Sequence, residues 1–89
     1  MSYKVAWHEY ALEDLRKFDK AGAREIVGKV DDPLSEHPIA LGKPLKGIFR
    51  GLFRYRCGDY RVIYSIDRRD EVMLVLAVGH RKDVYRRPR

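Results

Sequence analysis

The sequence predicts a two-layer α+β domain, with helices covering one face of an antiparallel sheet. Apolar residues recur at helical spacing before residue 35, and the period changes to alternation from residue 52. At 89 residues the chain can also bury one modest core but not two, so residues 1–89 are expected to form a single domain.

Each element follows from its local pattern. Tyr3 to Trp7 reads as a short strand, with Trp7 as a core anchor. From His8 to about Lys20, Ala11, Leu12, Leu15 and Phe18 form an apolar stripe, while Glu13, Asp14, Arg16 and Lys17 fall elsewhere on the wheel. A second helix from about Ala21 turns Ile26, Val27 and Val30 to one face and ends near Pro33 and Pro38. Joined this tightly, the two helices form a hairpin. Leu41 to Gly47 reads as a loop carrying Lys43 and Lys46. Leu52 to Arg56 alternates so that Arg54 and Arg56 share a face. Cys57-Gly58-Asp59 makes a turn, and Tyr60 to Ile66 follows with Tyr60, Val62, Tyr64 and Ile66 on one face and Arg61 on the other. Asp67 to Asp70 turns again. Val72 to Val78 is apolar on both faces, as an interior strand should be, and completes a three-strand meander before a short basic tail. The helices need an apolar surface, so Arg54, Arg56 and Arg61 are assigned to the opposite face.

Charge divides the chain. Residues 1–42 carry six Lys or Arg against eight Asp or Glu, a net of −2; residues 43–89 carry thirteen against five, a net of +8. A field of this sign attracts polyanions by releasing their counterions, which makes nucleic acid the natural partner class; a merely soluble basic surface is the alternative. One cysteine, Cys57, allows no internal disulfide and no zinc site of its own. No cofactor or metal is expected. The N-terminus lacks a signal-peptide core, and the longest apolar run is too short to span a bilayer, so a cytoplasmic protein without membrane contact is expected.

The element order, with Arg54-Tyr55-Arg56-Cys57-Gly58-Asp59-Tyr60-Arg61-Val62-Ile63-Tyr64 and Gly79-His80-Arg81-Lys82-Asp83-Val84-Tyr85, resembles the RelE/ParE toxin superfamily, on the RelE side. The resemblance covers nearly the whole chain. It implies a toxin of a type II toxin–antitoxin system that cleaves mRNA in the ribosomal A site. A cognate antitoxin would neutralise it, the toxin being monomeric alone and hetero-oligomeric with that partner. It further implies Arg61, Arg81 and Tyr85 as the catalytic set and Arg54 as a basic contact. Arg56, Lys43, Lys46 and Lys82 join Arg54 as expected substrate-binding residues. Many relatives carry a lysine two residues before the position of Arg54; here that residue is Leu52, so Arg56 or Lys46 would supply the second cation.

Metal-free RNA cleavage needs a base for the 2′-hydroxyl, stabilisation of the phosphorane, and a proton for the leaving 5′-oxygen. Tyr85 has an unperturbed pKa near ~10, and guanidinium neighbours favour its phenolate. Arg61 and Arg81 offer planar forks for the non-bridging oxygens. His80 is a minority candidate for the acid, since alternation sets it opposite Arg81. Two other functions compete: a ParE-like DNA gyrase inhibitor that only binds, and a non-catalytic RNA-binding domain. A pure binder needs no phenol among arginines.

Overall fold

Local chemistry sets the element boundaries in the computed structural model, which describes residues 2–80. Strand β1 (Lys4–Trp7) leads into α1 (Glu9–Arg16), which starts where His8 Nδ1 accepts a hydrogen bond from the Tyr10 N–H at 3.1 Å. Asp19 caps α2 (Lys20–Asp31) in the same way, its Oδ1 accepting from the Gly22 N–H at 2.9 Å. That second cap is why α1 ends at Arg16 and not near Lys20. A 3-10 turn (Leu34–Glu36) and a one-turn helix α3 (Pro38–Leu41, with Pro38 at its first position) return the chain to the sheet. Strands β2 (Lys43–Pro44), β3 (Phe53–Cys57), β4 (Tyr60–Asp67) and β5 (Val72–His80) follow.

The expected α+β class and meander are present, but the sheet has one strand more than the sequence suggested. Its order is β1-β5-β4-β3-β2, with β1 parallel to β5 and every other pair antiparallel. The extra strand lies in the segment read as a loop: Lys43 pairs with Arg54 and Pro44 with Phe53, and the Leu45 N–H donates to the Leu52 carbonyl at 2.9 Å. A two-residue strand has no readable period. At the sheet edge a proline costs little, because no further strand needs its missing N–H. Between β3 and β4 the turn needs only Gly58 and Asp59, since Cys57 pairs with Tyr60; Gly58 takes φ +61°, as the first central residue of a type II′ turn requires. Asp67 closes the next turn by accepting from the Arg69 and Asp70 N–H groups at 3.0 and 3.1 Å.

The core lies between helices and sheet. Ala11, Ile26, Val30 and Leu34 meet Val62, Tyr64, Met73, Val75 and Val78, all essentially without solvent exposure. On α1 the helical wheel misplaced two residues: Leu12 is 43% exposed, whereas Asp14, assigned to the polar side, is 4% exposed. Strand β1 stops at Trp7, opposite Val75, so beyond that point β5 has no strand on its edge away from β4. The Val78 N–H, which points away from β4, finds the Asp14 carboxylate at 2.9 Å instead. Helix α1 therefore completes the sheet edge with a side chain. Asp14→Ala would leave a buried donor unpaired and should cost about 2 kcal/mol in urea unfolding, with no change in cation-dependent binding.

Candidate functional site: a cationic sheet face

Register settles which side chains share a surface. Phe53, Tyr55 and Cys57 pair with Tyr64, Val62 and Tyr60, so these six face the helices. Arg54 pairs with Ile63 and Arg56 with Arg61, which places all three arginines on the other face, as the alternation predicted. Lys43 joins them from β2 by pairing with Arg54, and Gly79 of β5 lies on the far side of Arg61. Two cationic cross-strand pairs thus stand side by side, and no carboxylate occupies a register position opposite any of the four cations. Like charges about 5 Å apart repel, and sheets otherwise favour opposite-charge pairs at such positions. Arg61 Nε is buried and has no hydrogen-bond partner among the described residues.

A pocket of about 230 Å³ opens at the sheet edge next to this face, lined by Leu41, Lys43, Arg54, Tyr55 and Arg56. Tyr55 and Leu41 were not among the expected site residues. Tyr55 faces the helices, paired with Val62. It reaches solvent because β2 ends before covering that part of β3.

The other expected residues divide clearly. Lys46 is exposed but follows β2 at the opposite end of β3 from the Arg56–Arg61 pair, so it does not join the cluster. Arg81, Lys82 and Tyr85 lie outside the described residues. His80 pairs with Tyr60 and lies edge-on to its ring at 6.2 Å between centroids, which places it on the helix side of the sheet, away from Arg61. Cys57 is buried, and burial pushes its thiol up, with the Glu25 charge adding and Lys29 opposing; it fills space. Burial also pushes the Tyr64 phenol up, and its hydroxyl is committed to the Pro38 carbonyl at 2.7 Å. No group of three or more His, Cys, Asp or Glu capable of holding a metal occurs among the described residues. No helix there is long and apolar enough to cross a membrane.

Helices on one face of a five-stranded sheet and a set of arginines on the other define a small two-layer α+β domain with a cationic sheet face. The solved RelBE2 toxin–antitoxin complex of Mycobacterium tuberculosis contains a chain that superposes with a TM-score of 0.87 at 33% identity, over 91% of this chain and 100% of that one. Toxin RelG of the same organism is 37% identical over 87 residues, covering 98% of this chain and 100% of its own length. Its Toxin RelE is 37% identical over 84 residues, 94% of this chain and 87% of that protein. The model for the ParE toxin of the type II toxin–antitoxin system parDE matches residues 5–85. The chain belongs to this toxin family.

Proposed function

We propose that the protein is a metal-independent endoribonuclease that cleaves mRNA in the ribosomal A site and is held inactive by a cognate antitoxin. The observation that carries this reading is the Arg56–Arg61 pair beside Lys43–Arg54, a repulsive arrangement that a polyanion would relieve. The likeness to RelE-named toxins and to a toxin–antitoxin complex supports it. In the reaction, the 2′-hydroxyl gives its proton to the Tyr85 phenolate and its oxygen attacks the adjacent phosphorus. The bond from phosphorus to the 5′-oxygen breaks, and that oxygen takes a proton from water. The products are a 2′,3′-cyclic phosphate and a 5′-hydroxyl end. Arg61 and Arg81 hold the non-bridging oxygens and stabilise the phosphorane, while Arg54, Arg56 and Lys43 position the strand. An acidic antitoxin, or one with an amphipathic helix, matches the charge of the face it must cover.

Primer extension on mRNA from a translation extract tests this. The wild type should cut within codons on the ribosome, and Arg81→Ala and Tyr85→Phe should each lower cutting by at least ~10²-fold. Equal cutting by all three proteins would refute the site assignment. Absence of cuts together with inhibited DNA supercoiling would favour a gyrase-binding toxin instead.

A further inference from the structure

The pocket at the edge of β3 goes beyond general phosphate attraction. By their pairing with β2, Leu52 and Arg54 aim their main-chain groups at that strand: the Leu45 N–H donates to Leu52, and Lys43 pairs with Arg54. Backbone direction repeats every second residue, so the N–H and C=O of Arg56 aim the same way. Continuing the register would set Leu41 opposite Arg56, but Leu41 is the last residue of α3 and the chain has turned away. One donor and one acceptor therefore open toward the pocket, between the apolar surfaces of Leu41 and Tyr55 and the cations Lys43, Arg54 and Arg56.

This combination selects among ligands. At about 230 Å³ the pocket is smaller than the ~300–1,000 Å³ that encloses drug-sized molecules, which suits a single flat group. An extended peptide would gain only the Arg56 pair of hydrogen bonds, because β2 ends on one side and the Gly58 turn begins on the other. A carboxylate would use the cations and leave Leu41 and Tyr55 idle. An unpaired nucleobase uses every part: apolar and aromatic contact for its faces, a donor and acceptor for its edge, and cations for the phosphates on either side.

We propose that the Leu41–Tyr55–Arg56 pocket seats one unstacked base of the RNA strand close to the scissile bond, making Leu41 a determinant of where the message is cut, with Lys43 holding a flanking phosphate. The proposal deepens the ribonuclease reading and rests on it. Its test uses the full-length chain and labelled single-stranded hexanucleotides carrying 2′-O-methyl groups, which remove the attacking hydroxyl. Binding is followed by fluorescence anisotropy. Replacing one base by an abasic spacer should weaken wild-type binding about tenfold at one position of the strand. Leu41→Trp, at a site already 41% exposed, should fill the pocket and abolish that position dependence without lowering the melting temperature. Lys43→Ala should weaken intact and abasic strands alike and reduce the slope of log affinity against log salt by about 0.7.

Equal binding of abasic and intact strands at every position, or an unchanged abasic effect in Leu41→Trp, overturns the proposal. So does displacement by an acidic peptide with no base dependence, which would assign the pocket to a protein partner. Primer extension separates the two levels. Wild-type cuts whose positions are unaltered by Leu41→Trp overturn the pocket alone. Absence of wild-type cuts overturns the nuclease, and the anisotropy result still decides whether the pocket holds a base.

Discussion

Arg61→Ala should reduce ribosome-dependent mRNA cutting by about 10²–10³-fold, the usual effect of removing one preorganised donor from a site that stabilises developing negative charge. Arg61 is the only described member of the proposed catalytic set, and its setting supports that proposal. It stands opposite Arg56, beside Gly79, with its Nε buried and without a partner among the described residues. A structural role would make the alanine variant less stable. Here the substitution removes a like-charge opposition that costs ~0.2–1 kcal/mol, so the melting temperature should hold or rise slightly while activity collapses. Arg61→Lys should restore little, because an ammonium lacks the planar fork that engages two oxygens together. Arg54→Ala and Arg56→Ala, as positioning contacts, should mainly weaken substrate binding and flatten its salt dependence. A melting temperature several degrees lower in Arg61→Ala, with cutting reduced only in proportion to folded protein, would mark Arg61 as structural.

How far this face could be read in advance follows from which interactions are local. Alternation in Phe53–Cys57 and Tyr60–Asp67 depends on neighbours two residues apart. Together with a glycine turn that fixes the hairpin, it was enough to place Arg54, Arg56 and Arg61 on one surface. The same parity carries His80 to the Tyr60 side of the sheet, which removes it from the acid role once the register is known. What stayed hidden depends on partners far along the chain. Asp14 is buried because a backbone donor 64 residues away needs it, and the helical wheel carries no trace of that donor. Strand β2 exists through pairing with β3 alone, so its two residues look like loop. The edge pocket is a product of where β2 stops, and so Leu41 and Tyr55 could not be assigned to it from pattern.

Gly42 supplies the other large effect, and it too is invisible in the sequence. Its φ of −89° and ψ of 163° suit any residue, so backbone freedom is not the reason for glycine here. Space is. A Cβ at this position would overlap the Tyr64 hydroxyl and lie 2.9 Å from Tyr64 Cζ and 3.0 Å from the Pro38 carbonyl oxygen, striking both ends of the 2.7 Å hydrogen bond that ties α3 to the core. Tyr64 cannot easily move aside. It is fully buried, and its ring stacks on Phe53 at 5.7 Å. Overpacking a core costs ~1–3 kcal/mol, and leaving a buried hydroxyl and carbonyl unpaired costs ~1–3 kcal/mol more. Gly42→Ala should therefore destabilise the domain by about 2–6 kcal/mol, a large part of the ~5–15 kcal/mol that holds a typical domain together. Tyr64→Phe alone should cost about 1–2 kcal/mol, through the carbonyl it leaves behind. Because that change also removes the atom the new methyl strikes, the double variant should be markedly more stable than the sum of the two single losses implies. Urea unfolding of the four proteins measures this coupling directly. Additive losses would mean that the methyl is accommodated elsewhere and that Gly42 does not hold the Tyr64 hydroxyl in place.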